Sequence, residues 1–593
     1  MKNSAAVSGN GTCSSRAWLF SRIEELWAEF KPLTPFGKDR IASRTVYSDP
    51  RIIEAAYDDT DAYESFVLAQ GSEKARVDKL AWHLGRIPRL PTPNDSDAAH
   101  RAGGGYADSA EPECFDVVEL FLFKKFLSNY KACHELLDDG IKEHFEFDFC
   151  SEELTALFDK GGSDPETFQI SERYDNELKR LRDEISRAGE ELEKENKALA
   201  ESALITWGLD FMGRDFLTVP IERGLALASG TECGNNARLS VEAYDDYSCI
   251  VRMLPDAICL SLETRKETLR ERESAVESAV VADISRVVQL SGKVFERYSR
   301  ALERLDLARC RYMLKEKFDL RRPRLGDGGI SIGGGRFLPL IRDCQAMGTA
   351  YVPMDLTIQH PVAVLFGSNM GGKTVVMESL LFFQIMAQSG AYVPAKVFST
   401  RVFDRIEYVG EETESENKGL SSFGYQIHAL CTVLKMAEGK SCLVAFDEFA
   451  HTTSSEEAEA LLAAVIHRFS AMERCTALFA THFRGIARRG NIHWLKMAGL
   501  DIEAARKKFL TDAALVEDRA GGGASLKERI RSINTLMRYE IVLDGDRGGE
   551  HPDRSDALEV ASLLGLESDI VEEAMLNLKT DGATAETNWS RKQ

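Results

Sequence analysis

No stretch of this chain approaches the ~18 consecutive apolar residues of a membrane span. Apolar pieces such as Val362 to Phe366 are only strand-sized, so no membrane role is expected. Met1 to Ser15 lacks the apolar centre of a secretory leader. The twelve cysteines scatter from Cys13 to Cys475 without one C-x-x-C pair. They read as reduced thiols of a cytoplasmic protein, neither a disulfide frame nor a zinc site. Positive charge is also short: 74 Lys and Arg stand against 95 Asp and Glu, a net charge of −21. Such a chain is a poor general polyanion binder, and a grip on nucleic acid would need a local basic patch. Apolar residues are not scarce. At 44% hydrophobic and 28% charged, the chain excludes wholesale disorder. Its 593 residues call for about two to four domains.

Residues 1–87 carry helical patterns, beginning with Trp18, Ile23, Leu26, Trp27 and Phe30. Residues 88–113 hold four prolines and Gly103-Gly104-Gly105 and read as a flexible linker or insertion. Residues 114–325 return to helix. Tyr174, Leu178, Leu181, Ile185, Ala188, Leu192 and Leu199 follow a coiled-coil seam, broken once at Glu195. A second long pattern runs from about Leu260 to Leu314, with Leu262, Leu269, Val276, Val280, Ile284 and Val287 on one side and a candidate break at Gly292. The two predict a long antiparallel helix pair carrying a small tip, residues 206–256. A plain helical bundle fits the same pattern. Beyond a boundary near residue 325 the texture changes. Strand-sized runs at Val362–Phe366, Cys442–Phe446 and Thr476–Ala480 alternate with helical Val375–Gln388 and Glu456–Phe469. That alternation predicts a parallel sheet covered on both faces, over residues 326–593.

The run Val362 to Phe366 leads directly into Gly367-Ser368-Asn369-Met370-Gly371-Gly372-Lys373-Thr374. This is G-x-x-x-x-G-K-[ST] between a strand and a helix, the context a phosphate-binding loop requires. Glycines let backbone N–H groups approach phosphate, and the helix dipole favours negative charge there. Lys373 would reach the β- and γ-phosphates of ATP, and the Thr374 hydroxyl would ligate Mg²⁺. Leu443 to Phe446 forms a buried-strand pattern ending in Asp447-Glu448. Asp447 at a strand end beside the phosphate loop suits Mg²⁺, and Glu448 suits activation of the attacking water. The next strand pattern ends in Ala480-Thr481-His482, where His482 could sense the γ-phosphate or the water. Three polar strand ends in this order favour a nucleotide hydrolase over a mere nucleotide binder.

The loop Gly367 to Thr374 resembles the G-P-N-M-G-G-K-[ST] loop of the MutS mismatch-repair ATPases, with Asn369-Met370 as its specific part. Met386 to Ala395, Tyr351 to Asp355, Asp447 to Ser455, Phe479 to His482 and Ser555 to Leu566 are similar to further segments of that family. Thr34 to Lys38 and Tyr174 to Leu178 resemble its core and lever helices. The resemblance implies an ABC-type P-loop NTPase domain of α/β class, preceded by an all-α core and lever domain, with a C-terminal helical dimerisation segment. It implies a homodimer in which each ATP lies between one subunit's phosphate loop and the other's signature loop. Ser421 and Ser422 stand where that loop belongs, and Tyr351 where an aromatic stacks on adenine; ordinary packing is the other reading of Tyr351. Departures are Ser368 in place of proline, Gly424 in place of a larger residue and His451 in place of arginine.

Two outputs remain open. In a DNA-acting MutS relative, ATP-driven closure would grip DNA at the tip. Against it, the chain starts near the core helices, so a mismatch-reading domain is not expected. Residues 206–256 also hold four arginines, no lysine and eight acids, a poor clamp for phosphates. DNA binding is therefore expected to be weak. In the other output, closure remodels a protein client. Asp447 to Glu456 and Lys373 to Val376 resemble the MutS-like ATPases that reactivate adenosylcobalamin-dependent aminomutases. A structural coiled-coil protein with a dead nucleotide site is the third class. The insertion Asp501 to Leu536 has no physical account at this level.

Overall fold

The computed structural model describes residues 11–71, 74–91, 114–229, 238–367, 371–410, 422–451, 453–483, 491–501 and 536–544, with isolated residues 486, 504, 558, 561, 566–567, 569–574 and 576. Ser368, Asn369, Met370, Ser421, residues 92–113, most of the 501–536 insertion and most of the 555–566 segment lie outside them. The chain divides into two compact units. One holds Asp78–Leu137 and Phe147–Ser299; the other holds Met1–Val77, Asp138–Glu146 and Arg300–Gln593.

In the first unit the helix Val117–Leu136 opens on a capping box, Asp116 with Glu119, which satisfies two of the orphan donors at a helix start. Its Tyr130 stacks on Phe147 and Tyr298, with ring centroids 4.4 and 4.0 Å apart. Lys124 on the same helix is buried; its ammonium donates to the carbonyls of Gly162, Asp164 and Thr167 at 2.6, 2.7 and 2.8 Å. Three donors meeting three acceptors is what makes that burial tolerable.

Two long helices, Asn176–Trp207 and Ala257–Leu290, pack together. They are antiparallel: Arg182 pairs with Glu273 and Glu277 at 2.7 and 2.6 Å, and Cys259 meets Asn196 near the other end. Of the expected seam, Leu178, Leu181, Ala188 and Leu199 are buried, while Ile185 and Leu192 are half-buried. The second helix ends at Leu290, and the next, Gly292–Phe318, begins at the glycine where a break was expected. One position departs from the pattern. Val287 is exposed and Val288 is buried in its place, because helical steps of four from Val280 through Ile284 arrive at 288.

Between the two helices lies a small antiparallel sheet, β1 (Leu217–Pro220), β2 (Leu239–Ala243) and β3 (Ser248–Met253), in the order β1-β3-β2. Ala203, Leu227, Cys249 and Val251 form its small core.

In the second unit, a four-stranded sheet has the order β4-β8-β5-β6, from β4 (Arg324–Leu325), β5 (Ile330–Gly335), β6 (Met354–Ile358) and, after β7, β8 (Val397–Thr400). The six-stranded sheet takes β7 (Val362–Phe366), β9 (Arg405–Val409), β10 (Cys442–Asp447), β11 (Cys475–Thr481), β12 (Ile492–Leu500) and β13 (Met537–Leu543), in the order β13-β12-β7-β11-β10-β9. All its pairings are parallel except β12 with β13. Strands β7, β10 and β11 are buried on both faces, as covered parallel strands must be. Thr34 joins this unit's early residues to its later ones. Its amide and hydroxyl donate to the buried Asp306 carboxylate at 2.7 and 2.9 Å. The ends of the 501–536 insertion meet, with the Asp501 amide donating to the Leu536 carbonyl at 3.0 Å, so the insertion joins the paired strands β12 and β13. Among the described residues no helix is long and apolar enough to cross a membrane.

Candidate active site

The helix Lys373–Gln388 begins directly after Gly372, which adopts φ 88°. That left-handed turn suits glycine. A Cβ there would also meet the Tyr539 ring at 3.2 Å, and one at Gly367 would meet Met497 at 3.0 Å. The helix is apolar nearly all round and almost wholly buried, so its N-terminus is rigidly held.

Five of the expected polar groups converge there. The buried Lys373 ammonium donates to the Gly367 carbonyl at 2.8 Å and lies 3.5 Å from Glu448 Oε1. Burial pulls its pKa down, and the Glu448 carboxylate pulls it back up. The Thr374 hydroxyl donates to Asp447 Oδ2 at 3.2 Å. His482 Nδ1 lies 3.9 Å from Glu448 Oε1. Glu448 thus sits between a lysine and a histidine, on carboxyl ends of parallel strands, where open α/β sheets place their ligands. Strand β10 does not lie beside β7, because β11 is inserted between them. The reach to Thr374 comes instead from Asp447 being the last residue of β10.

The turn after β10 is strained. Glu448 and Ala450 have φ 44° and 67°, a left-handed conformation that costs a non-glycine residue about 1–2 kcal/mol. It is held by the Glu448 amide donating to the Ala480 carbonyl at 3.1 Å and by the Ala450 amide donating to Gln426 Oε1 at 2.9 Å. His451, where the resemblance has arginine, turns its Nδ1 to the Glu448 carbonyl at 2.9 Å.

Tyr351 is placed differently from the other candidates. Its hydroxyl donates to the Gly335 carbonyl at 3.1 Å and accepts from the Phe337 amide at 2.8 Å. Its ring packs against the core, and burial raises the phenol pKa. These contacts give it a packing task. Ser422 opens the helix Ser422–Ala437.

Sequence reasoning missed Tyr539 and Met497 against the loop glycines, and Gln426 under the turn. Only Gln426 left a signal, as a polar residue within an otherwise apolar stretch of its helix. It also missed Glu378, one turn along from Thr374. Burial, beside the charges of Asp447, Asp343 and Glu25 and opposed by Arg22, pushes its carboxyl up to about 7. The native state therefore keeps that proton after the unfolded chain has lost it. Stability falls as pH rises from 4.5 to about 7 and then levels off. The full shift corresponds to roughly 3 kcal/mol, reduced by solvent screening to about 1–2 kcal/mol. Glu378→Gln should leave melting at pH 4.5 unchanged and raise the melting temperature at pH 8. Parallel melting curves of the two proteins at both pH values would remove this assignment.

Residues 363–524 match the sequence family described as MutS domain V, a P-loop ATPase domain. Over these residues the chain is similar to the ATPase domain of the MutS family. Among relatives, the DNA mismatch repair protein MutS of Dinoroseobacter shibae is 26% identical over 327 residues, 54% of this chain and 33% of that protein. That of Thermus caldophilus is 29% identical over 345 residues, 57% of this chain and 37% of that protein. DNA mismatch repair protein MutS 2 of Halobacterium salinarum is 27% identical over 307 residues, covering 49% and 35%. These matches span about a third of each MutS relative's length.

Proposed function

We propose that this protein is a Mg-dependent, MutS-type ATPase that works as a dimer and spends ATP-driven closure on a protein partner. The carrying observation is the convergence of Lys373, Thr374, Asp447, Glu448 and His482 at one helix N-terminus. Thr374 and Asp447 offer two hard oxygen donors side by side, which fits Mg²⁺. When bound, the ion neutralises charge on the β- and γ-phosphates. Lys373 supplies a fixed cation for the same phosphates. Glu448 accepts a proton from the attacking water, and the neighbouring His482 orients that water or the γ-phosphate. ABC-type site sharing supplies the remaining donors from the partner subunit, through Ser421 or Ser422. Tyr351 packs beside this machinery, and its stacking on adenine rests on the resemblance alone.

The tip sheet favours a protein over DNA as the target. Its residues 206–256 hold four arginines, eight acids and no lysine. The β2–β3 turn presents Tyr244 and Tyr247, 66% and 83% exposed. Asp245 stiffens that turn by accepting from the Tyr247 amide and the Ser248 hydroxyl, both at 2.8 Å. Rigid exposed tyrosines among carboxylates suit a protein surface and repel a phosphate backbone. The names of the relatives favour the second reading, a DNA-mismatch ATPase.

The deciding experiment measures ATPase rate and DNA affinity, with matched and mismatched duplexes, at low and physiological salt. We expect turnover without DNA, and weak binding with few phosphate contacts, each worth a log–log salt slope near ~0.9. Tight mismatch-specific binding at physiological salt, released by ATP, would put the DNA reading first. Absence of any ATP hydrolysis would leave the inactive structural class.

A further inference from the structure

Gln426 is 1% exposed and sits in the first turns of the helix Ser422–Ala437. Its Oε1 accepts the Ala450 amide at 2.9 Å. Its Nε2 is buried with no hydrogen-bond partner among the described residues. A fully buried amide with one satisfied end is costly, so its retained end calls for an explanation. Ala450 is itself buried, and both it and Glu448, two residues before it, are left-handed. Without an acceptor, the Ala450 N–H would be an orphan inside the protein and the turn would relax toward ordinary backbone angles. Glu448 would then lose its place 3.5 Å from Lys373 and 3.9 Å from His482.

We propose that Gln426 is a positioning residue for hydrolysis, locking the post-β10 turn so that Glu448 faces the water to be activated. The proposal deepens the ATPase reading and rests on it. Through the same bond, displacement of the Ser422–Ala437 helix would be felt at the proton acceptor. The amide is buried beneath the turn and bonds its backbone, so its loss acts on the rate of hydrolysis and not on ATP affinity.

The test compares Gln426→Met, which keeps the shape and removes the acceptor, with Gln426→Glu, which keeps an acceptor oxygen. Gln426→Met should lower kcat at least tenfold with KM and fluorescent-ATP Kd within twofold. Gln426→Glu should keep most of the rate. Ala450→Gly in the Gln426→Met background should recover part of it, because glycine adopts positive φ unaided. Amide exchange of the 448–451 segment should accelerate in Gln426→Met and not in Gln426→Glu, a readout that needs no turnover. Wild-type kcat in Gln426→Met, equal losses in both variants, or unchanged amide exchange would overturn the inference. A loss shared equally between Kd and kcat would reduce Gln426 to a packing residue. A wild-type protein that hydrolyses no ATP would sink the ATPase reading alone, and the exchange measurement would still decide whether Gln426 locks the turn.

Discussion

Glu448→Gln should bind ATP with near-normal affinity and hydrolyse it about 10²–10⁴-fold more slowly, the usual range for losing a positioned general base. The substitution keeps the side chain's size and one oxygen, so the turn and the Lys373 contact survive in outline. What it removes is the proton acceptor. The Mg²⁺ ligands proposed here, Thr374 and Asp447, stay 3.2 Å apart and are untouched, so nucleotide binding should persist. Single-turnover hydrolysis with excess enzyme separates the two effects. An unchanged single-turnover rate would take the base role away from Glu448 and leave it as a counter-ion for Lys373.

Why these groups were readable from sequence follows from their position. Each follows a run of four or more apolar residues, and such runs alternating with helices fit buried parallel strands of a covered sheet. Asp447, Glu448 and His482 are therefore all delivered to one sheet edge by local pattern alone. The phosphate loop adds glycines that only a left-handed turn or a close approach explains, as at Gly372. What could not be read is set by tertiary packing. Nothing local says that β11 lies between β7 and β10. Nothing local says that Tyr539, on the far side of the 501–536 insertion, closes against Gly372. The raised carboxyl of Glu378 likewise depends on Arg22, Glu25 and Asp343 from distant parts of the chain.

The helix pair shows the same division. Its seam was legible because steps of three and four keep one stripe facing a partner. The antiparallel pairing, expected from two long helices flanking a small tip, is seen in the Arg182 bonds to Glu273 and Glu277. Val287, expected on the covered side, is exposed. The step of four from Ile284 covers Val288 instead. Tyr351 makes a related point about resemblance. A motif position carries over an aromatic ring, but its hydroxyl's two backbone bonds show a packing use that the motif does not contain.

Lys373→Ala should abolish detectable ATPase activity on its own. Removing one partner of a buried, hydrogen-bonded charge pair costs about 2–5 kcal/mol, roughly 30- to 4,000-fold in Kd. Here the loss also leaves Glu448 facing His482 without its nearer cation. The size of the effect makes the variant a clean null subunit for testing site sharing. A Ser421→Ala/Ser422→Ala double variant should also be inactive as a homodimer, because in the shared-site arrangement its signature serines serve the partner's ATP. Mixed with Lys373→Ala, it should form heterodimers with one intact site: its own Lys373 and the other subunit's serines. Activity should reappear at up to about half the wild-type rate per dimer, since one of two sites is whole. The other site in that dimer lacks both groups and contributes nothing. Heterodimers proven by differential tags, yet inactive, would show that lysine and serines act within one subunit, and the shared-site model would be lost. Recovery that also appears when Lys373→Ala is mixed with Glu448→Gln would point instead to coupling between sites. That second pairing cannot assemble a complete site, because Lys373 and Glu448 lie 3.5 Å apart in the same chain.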